Sequence, residues 1–533
     1  MQAQIREQYN PHDLRKTLAT FWKKYLPDQL MGEIRVPECA GVKQTGPYSI
    51  GEVKKLRTYL QELVVMGIDK CKGRKLLLCP ALFAQRYSVA FPVRTDTVHF
   101  EIVNHTTDSY SRWLQAEFRR RKWLQIATFF KSGQPPVPYP LLKLKDIVAD
   151  CKTVQASKGV CCRCRPISPN TKHWLRRVYR RIGAVLRIVC LNIPTDHLNF
   201  MRSQSMLTFV HEWNGSRQGM GEWMLFTGDI ANCYDELIHR SCIDGVRWGL
   251  SQLASWLGKR TIGRFSVSKY DRRDCRPYAR FHDEDMVHIT IDQVMEVCQF
   301  DCENAILEVE DSLYRRKLGA PMGGFLSAFY AMLCFAYIEY KCVSPLFKLM
   351  GVPGGIKRYL DDVIVAMYCR SESEAVLANS FMQMLGGESV YKPPLKLNLE
   401  PRGDQDFLEA RVFQGEELSM MLNNKVATDI AAGIPPYRQR IPQANTVPRR
   451  TLKAMVGNLI LRCIQSATSG AMLARSLVEA RQEVVAALKS DALFNEAVRK
   501  ATISVMNREK ERKRQSRSRE QRHRGVRFER LGP

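Results

Sequence analysis

Three aspartates set among apolar residues constrain this chain more than any other feature of its 533 residues. Asp229 stands near the end of the apolar segment 226–230, and Asp361 and Asp362 are adjacent within residues 358–367. The first segment predicts a strand, and the second predicts a β-hairpin with the acids at its tip. Adjacent carboxylates among apolar residues are costly unless a cation compensates for their charge. Because Mg²⁺ prefers carboxylate and phosphate oxygens, the pattern predicts a divalent-metal site, although a turn of two solvated aspartates is an open alternative.

Charge and hydropathy limit the classes of partner that the chain is expected to bind. Lys and Arg number 81 against 54 Asp and Glu, a formal net charge of +27, which favours a polyanion such as nucleic acid. The longest apolar stretch, residues 325–338, is too short to span a bilayer and predicts a buried helix. An odd count of 17 cysteines and a polar N-terminal segment without a signal-peptide pattern favour a reducing, intracellular compartment. We therefore expect a nucleic-acid binder with no membrane partner.

Several short segments around the three acids resemble the motifs of reverse transcriptases. Tyr359-Leu360-Asp361-Asp362 matches motif C, residues 229–235 match motif A, and residues 319–327 match motif B. Arg165-Pro166-Ile167, with Lys143 and Lys145 upstream, matches the fingers motifs. Residues 397–400 match motif D, and residues 407–410 match motif E. Any one match could arise by chance, but the ordered set, from about residue 141 to 415, is specific.

Two departures within motif B refine the resemblance. Met322 replaces the usual glutamine, and Ala328 replaces the usual proline. The Met-Gly form, together with a predicted helix and hairpin in residues 294–317, resembles the Penelope-like retroelements, relatives of telomerase. The sequence has no GIY-YIG motif, so the resemblance implies no endonuclease in this chain. In motif D, Pro401 stands where a lysine is usual, which leaves open whether a neighbour such as Lys396 acts as general acid.

The resemblance implies an α+β right-hand polymerase fold with fingers, palm and thumb, an antiparallel palm sheet and a mostly helical N-terminal extension. A Pro-rich segment at 134–140 cannot continue a helix and predicts the first boundary. The predicted divisions are an N-terminal extension (1–140), fingers (141–225), a palm (226–415) with an inserted loop at about 257–285, a helical thumb (416–500) and a basic disordered tail (501–533).

The three acids would form the catalytic site of such an enzyme. The resemblance implies that Asp229 and Asp361 bind two Mg²⁺ ions, with Mn²⁺ as an alternative, and that Asp362 supports them. The backbone carbonyl of Ile230 is a candidate additional metal ligand. Two ions so held can stabilise the attacking and leaving oxygens of a phosphoryl transfer.

Substrate contacts are also implied by the matched motifs. They are expected at Lys145, Arg165, Tyr234, Pro321, Gly323, Gly324 and Lys396. Lys145 and Arg165 would donate to triphosphate oxygens, unless they lie on a solvated strand face. The ring of Tyr234 would lie under the sugar and exclude a 2′-hydroxyl, unless it is a core tyrosine. Gly323 and Gly324 would allow close backbone approach.

In the predicted thumb, a helix carries basic residues that could lie along a duplex. Arg449, Arg450 and Lys453 would contact nucleic-acid phosphates, which adds affinity without sequence specificity. A solvated helix face is an equally open interpretation.

The sequence therefore predicts an RNA-directed DNA polymerase that adds dNTPs to a primer 3′-hydroxyl. Its partners would be an RNA template, a DNA primer or RNA–DNA hybrid, and dNTPs. One alternative is an RNA-dependent RNA polymerase, in which Asp235 would read the 2′-hydroxyl. Another is a catalytically idle reverse-transcriptase-like protein that only binds RNA, although all three acids are intact.

Two further segments keep open interpretations. Cys161, Cys162 and Cys164 form a cluster that suggests zinc, but the paired spacing of a zinc site is missing and reduced loop cysteines are favoured. The basic tail is typical of an RNA-binding segment, of a nuclear localisation signal and of a solubilising tail.

Overall fold

The computed structural model describes most of the chain between residues 63 and 501. The described ranges are 63–69, 71–78, 80–93, 95–143, 164–193, 206–258, 262–271, 273–277, 284–432, 441, 448–488 and 490–501. The chain divides into two compact units. Unit 1 comprises Met1–Phe83, Asn424–Arg462 and Leu477–Pro533, and unit 2 comprises Ala84–Asn423 and Cys463–Ser476.

The described residues form short strands and longer helices in a mixed order. The strands are β1 (Val64–Asp69), β2 (Cys71–Leu78), β3 (Phe100–Val103), β4 (Tyr139–Lys143), β5 (Cys164–Ile167), β6 (Glu222–Ile230), β7 (Arg264–Ser268), β8 (Cys275–Arg276), β9 (Met286–Thr290), β10 (Ile306–Val309), β11 (Ser312–Arg316), β12 (Gly354–Tyr359), β13 (Asp362–Cys369), β14 (Leu397–Leu399), β15 (Gln405–Phe407), β16 (Ala410–Phe413) and β17 (Ser419–Leu422). The helices are α1 (Pro80–Ala90), α2 (Thr107–Arg120), α3 (Arg176–Asn192), α4 (Met206–Gly215), α5 (His239–Trp256), α6 (Ile291–Glu303), α7 (Ser327–Met350), α8 (Glu372–Gly386), α9 (Lys425–Ala431), α10 (Arg449–Ser466) and α11 (Gly470–Leu488).

A four-stranded antiparallel sheet lies at the centre of unit 2. Its strand order is β12-β13-β6-β14. Side chains alternate between the two faces of each strand, and both faces are covered. Phe226 and Val365 belong to a large core shared with helices α3, α5, α6 and α7, whereas Leu225 and Ile364 belong to a second core with α4 and strands β15–β17. Burial on both faces explains why β6 and β13 are almost continuously apolar.

Residues 257–285, predicted as an inserted loop, instead contain strands. β7 pairs with β8 and with β9 in a small antiparallel sheet. Phe265 and Val267 on β7 are only 0% and 1% exposed, because they reach the large core beneath. The polar residues around them concealed this alternation, so the loop prediction was wrong for the strand residues.

The described part of the N-terminal extension contains strands as well as helices. β1 and β2 form a hairpin in unit 1. In unit 2, β3 adds to the β10–β11 hairpin by pairing with β11, and Leu114 of α2 lies in the large core. Residues 84–140 therefore share the core of unit 2. Of the extension expected to be mostly helical, residues 1–62 lie outside the described residues, and Val64–Asp69 form a strand.

Helices dominate the described part of unit 1 after residue 424. α9 begins at an Asn424 cap whose side chain accepts bonds from the Val426 and Ala427 amides. Of the basic tail predicted at 501–533, only its first residue lies within the described residues. Among the helices that the structure describes, none has both the length and the apolarity that crossing a membrane requires.

Candidate active site

The central sheet brings the three aspartates together at one end. Asp229 is the penultimate residue of β6, and it pairs directly with Asp362, the first residue of β13. Asp361 lies in the two-residue turn between β12 and β13. The predicted hairpin with acids at its tip is therefore present, and its neighbour across the sheet is the predicted Asp229.

The register places four polar side chains in one row across the sheet. Tyr359 pairs with Asp362, Asp362 with Asp229, and Asp229 with Asn398. Directly opposed residues of antiparallel strands project on the same face, and like charges in that position are destabilising. The folded chain nevertheless keeps two carboxylates side by side, an arrangement that a bound cation would stabilise.

A backbone hydrogen bond connects the turn that carries Asp361 to the neighbouring strand β6. The Ile230 amide donates to the Asp361 carbonyl at 2.8 Å, which ties the end of β6 to the turn. Leu360 has a φ of +56°, a left-handed conformation that a branched side chain rarely adopts. The Ala231 amide donates to the Lys396 carbonyl at 2.8 Å, so Lys396 lies at the sheet edge beside the acids.

The donor set fits a divalent cation that the substrate helps to bind. The carboxylate of Asp229 is exposed, and Asp361 and Asp362 are half-buried. Within the described ranges, no three His, Cys, Asp or Glu side chains already converge as a complete metal-binding group. Mg²⁺ in phosphoryl-transfer sites usually takes one or two carboxylates and completes its shell with water and substrate phosphates. An open pair of opposed aspartates meets that requirement.

Tyr234 lies next to the acids on the turn that follows β6. Asn232 has a φ of +47°, and its carbonyl accepts from the Asp235 and Glu236 amides at 2.8 and 3.0 Å. Burial raises the pKa of Tyr234 well above its ordinary value; nearby Cys233 and Asp361 add to the rise, and Arg165 opposes it. The charges of Arg165 and Asp361 therefore both act on the Tyr234 hydroxyl.

The glycine-containing loop of residues 319–324 joins the turn after β6 to strand β5. The Gly319 and Ala320 amides donate to the Leu237 and Tyr234 carbonyls at 2.8 and 2.7 Å. On the other side, the Ser168 amide donates to the Met322 carbonyl at 2.8 Å. Together these bonds place the Arg165 strand and Tyr234 on either side of one loop.

Two predicted glycines of this loop occupy positions that a side chain would disturb. Gly323 is exposed with a φ of +111°, and a Cβ there would lie 3.1 Å from the Ser168 carbonyl oxygen. A Cβ on Gly324 would lie 2.4 Å from the Ser327 hydroxyl, which donates to the Pro321 carbonyl at 2.7 Å. The Pro321 carbonyl is therefore hydrogen-bonded to Ser327, and Gly323 exposes its backbone to solvent.

Asp235 has a partner that the sequence did not reveal. Arg316 donates from Nη1 to the Asp235 carboxylate at 3.1 Å, and the Arg316 side chain is only 3% exposed. Arg316 lies on β11, 81 positions along the chain, so no local motif could have indicated the pair. The Asp235 carboxylate is thus engaged in an ion pair with the hairpin that precedes the glycine loop.

A second group missed by the sequence analysis is bonded to the turn that carries Asp361. Arg358, Glu339 and Tyr391 are all 0% exposed and are linked by hydrogen bonds. The available signal was a glutamate inside the apolar helix α7 and an arginine three positions before Asp361. Buried charges are almost always paired, so each residue could have predicted the existence of the other, though not its place.

The remaining predicted residues lie elsewhere or outside the described ranges. Lys145, Cys161 and Cys162 are outside the described residues. Arg449, Arg450 and Lys453 are exposed on α10 within unit 1, where the Lys453 ammonium pairs with Glu496 at 3.0 Å. Their role on a nucleic-acid duplex stays a prediction.

Comparison with known proteins identifies the architecture. No protein-family model and no curated protein matches the sequence. Among solved structures, apo telomerase from Candida tropicalis aligns with a TM-score of 0.50 at 10% identity, over 85% of this chain and 68% of that one. This chain has a right-hand polymerase fold. At this identity the likeness shows the fold alone.

Two other solved structures align more loosely. Telomerase from Candida albicans in complex with a TWJ fragment of telomeric RNA has a TM-score of 0.46 at 12% identity, over 84% of this chain and 74% of that one. The BmCPV RNA-dependent RNA polymerase at its quiescent state has a TM-score of 0.33 at 12% identity, over 76% of this chain and 31% of that one.

Proposed function

We propose that this chain is an RNA-directed DNA polymerase that extends a primer 3′-hydroxyl with dNTPs. The observation that carries the proposal is the direct pairing of Asp229 with Asp362, beside Asp361 in the turn, on the open end of the central sheet. Opposed carboxylates are unfavourable without a cation, and the order of the surrounding motifs is that of reverse transcriptases.

In this proposal the acids hold the divalent ions and the neighbouring residues hold the nucleotide. Asp229 and Asp361 would bind the ions, with Asp362 and the Ile230 carbonyl as support. Mg²⁺, or Mn²⁺ in its place, would neutralise the triphosphate and lower the pKa of the primer hydroxyl. The exposed carboxylate of Asp229 and the half-buried Asp361 are accessible to such ions.

The nucleotide would lie between β5 and the turn after β6. Arg165 would donate to phosphate oxygens, since guanidinium groups form charge-assisted bonds with phosphate, and Lys145 would do the same. The ring of Tyr234 would lie against the sugar, and the bare backbone at Gly323 would let the nucleotide approach. Lys396, exposed at the sheet edge, is the candidate proton donor to the leaving pyrophosphate.

The contact between Asp235 and Arg316 favours DNA synthesis over RNA synthesis. An acid that reads a 2′-hydroxyl must accept a hydrogen bond from it, whereas the Asp235 carboxylate is already bonded to a buried guanidinium. Tyr234 beside it supplies a bulky ring in the same turn. One Asp235 oxygen is thus committed to Arg316, which leaves less of this carboxylate available to read a 2′-hydroxyl.

The nearest class within the reverse transcriptases is proposed on two features. The Met322-Gly323 form of motif B resembles Penelope-like elements, and the predicted helix and hairpin before it correspond to α6 and the β10–β11 hairpin. We propose an RNA template and a DNA primer or RNA–DNA hybrid as partners. The basic tail would add nucleic-acid affinity or direct the chain to the nucleus.

Primer extension by the purified chain tests the proposal. An RNA template with an annealed primer is incubated with Mg²⁺ and either dNTPs or rNTPs, beside Asp361→Ala/Asp362→Ala. We expect extension with dNTPs only, reduced at least about a thousandfold in the double variant, because electrostatic stabilisation and metal positioning are lost.

A surface acid provides the matched control. Asp244 on α5 pairs with Arg240 and Arg247, so Asp244→Ala removes a carboxylate without touching the site. Its extension rate should match the unaltered chain. Extension with rNTPs would assign the protein to the RNA polymerases, and tight RNA binding without any extension would favour an idle RNA-binding protein.

A further inference from the structure

A fully buried network lies directly beneath the turn that carries Asp361. The Arg358 guanidinium donates from Nε to Glu339 Oε1 at 2.5 Å, from Nη1 to the Leu360 carbonyl at 2.8 Å and from Nη2 to the Met332 carbonyl at 3.2 Å. The Tyr391 hydroxyl donates to the same Glu339 oxygen at 2.6 Å. One carboxylate oxygen thus joins three segments of the chain.

Each of these segments leads to a part of the candidate active site. Arg358 is the penultimate residue of β12, immediately before the turn. Glu339 lies on α7, which begins after the glycine loop. Tyr391 stands shortly before β14, the strand that carries Asn398 beside Asp229.

The bond to Leu360 acts on the strained point of the turn. Leu360 has a φ of +56°, and a branched residue keeps this conformation only where its surroundings enforce it. Arg358 binds the Leu360 carbonyl, and the next carbonyl, that of Asp361, accepts from the Ile230 amide at 2.8 Å. The Leu360–Asp361 peptide group is therefore fixed by a bond from β12, and the Asp361–Asp362 peptide group by a bond from β6.

Stability alone does not account for a network of this kind. Burying two opposite charges costs most of what their attraction returns, and well-packed apolar residues often serve as well. Glu339 also keeps one oxygen, Oε2, buried without a hydrogen bond among the described residues. A guanidinium that bonds one backbone carbonyl of the turn, one of α7 and the Glu339 carboxylate is suited instead to fixing the geometry of these segments.

We propose that Arg358 is a positioning residue that fixes the Asp361 turn in its metal-binding conformation, and that Glu339 and Tyr391 orient Arg358. The kinetic part of this inference rests on the proposed polymerase function. Its structural part concerns the order of the turn and is independent of any activity.

Two Tyr→Phe variants, each of which removes one buried hydroxyl group, test the positioning role of Arg358. Tyr391→Phe removes the hydroxyl that orients Glu339, while the network's charges remain. Tyr330→Phe is the matched control, because Tyr330 is 1% exposed, lies on α7 and donates to the buried Asp301 carboxylate at 3.1 Å and the Cys298 carbonyl at 3.2 Å, neither of which belongs to the network. Both variants lose one buried hydroxyl donor, so their melting temperatures should fall by similar amounts.

Kinetics and hydrogen exchange should separate them. For Tyr391→Phe we expect kcat of primer extension to fall about tenfold, with little change in the KM for dNTP and a higher Mg²⁺ concentration for half-maximal rate. The Ile230 amide, followed by exchange of a peptide covering the end of β6, should exchange at least about tenfold faster. Tyr330→Phe should leave all of these unchanged.

Arg358→Lys provides a second, independent variant. Lysine keeps the positive charge but cannot reach Glu339, Met332 and Leu360 together from one nitrogen, so kcat and exchange should change as in Tyr391→Phe or more. Equal kcat and equal exchange in Tyr391→Phe and Tyr330→Phe would overturn the inference. If the unaltered chain extends no primer, the proposed function fails, while the exchange comparison still decides whether Arg358 and Tyr391 order the turn.

Discussion

Tyr234 is half-buried in the turn after β6, where the charges of Asp361 and Arg165 act on its hydroxyl. In the proposed polymerase this side chain would lie against the nucleotide sugar. Its ring, rather than its hydroxyl, is the part that would meet a 2′-hydroxyl. Selection of the sugar is therefore expected to depend on ring volume.

Truncation of this side chain should relax the choice of sugar. For Tyr234→Ala we expect rNTP incorporation relative to dNTP to rise about 10- to 100-fold in primer extension, because the steric block is removed. Tyr270→Ala, at a tyrosine that is 80% exposed on the β7–β8 loop, is the matched control. An unaltered sugar preference in Tyr234→Ala would contradict the assignment.

Asp301 is a buried acid outside the active site. Its carboxylate accepts from the Tyr330 hydroxyl, and burial raises its pKa from 3.8 to about 6, while hydrogen bonds from Tyr330 and Tyr179 oppose the rise. The folded chain therefore holds this proton more tightly than the unfolded chain does. Its stabilising contribution is complete below about pH 4 and is lost as the pH rises through about 6.

Replacement of this acid should flatten the pH dependence of stability. Between pH 4.5 and 7 we expect the unaltered chain to lose more free energy of unfolding than Asp301→Asn, by an amount on the order of 3 kcal/mol at most. Urea unfolding at the two pH values measures the difference. Identical pH dependence in both proteins would show that Asp301 is ionised throughout.

At the scale of elements, the glycine loop of residues 319–324 is the part that connects the site. It is bonded on one side to the turn after β6 and on the other to the segment after β5. The segment after Arg165 and the turn that carries Tyr234 are therefore both bonded to this loop. Its sequence was recognised from the motif, but its two sets of backbone bonds emerge only from the fold.

A methyl group at the exposed Gly323 of this loop should lower both the stability of the chain and its affinity for dNTP. Gly323→Ala places a Cβ 3.1 Å from the Ser168 carbonyl at a φ of +111°, so we expect a loss of about 1–3 kcal/mol in stability and a raised KM for dNTP. Gly415→Ala, whose Cβ would meet only the Glu417 carbonyl at 3.6 Å, should change neither. Thermal unfolding and primer extension check both effects.

The strands of the central sheet were predictable because their acids and their burial on both faces produce a recognisable local sequence pattern. Asp229 and Asp361 each stand in an apolar run, so the acids revealed the ends of β6 and of the hairpin. The strands β7–β9 were not recognised, because only Phe265 and Val267 mark an alternation that polar neighbours interrupt. Local pattern identifies long, continuously apolar strands better than short strands whose buried positions include a polar residue such as Ser266.

At the scale of the whole molecule, the contacts that complete the site join residues far apart in sequence. Arg316 pairs with Asp235 across 81 positions, and Tyr391 bonds Glu339 across 52. A single sequence contains the two members of such a pair but not their proximity. The motif residues could thus be predicted one by one, whereas the network that orders them required the fold.

The pairing of β6 with β13 also fixes how long the hairpin can be. Because side chains alternate along a strand, one residue added to or removed from β13 near the turn would carry Asp362 to the face opposite Asp229. A change of two residues would keep the face but shift the acid by about 7 Å along the strand. A change of length in the small β7–β9 sheet would leave this register intact, whereas a change beside the turn would separate Asp229 from Asp362.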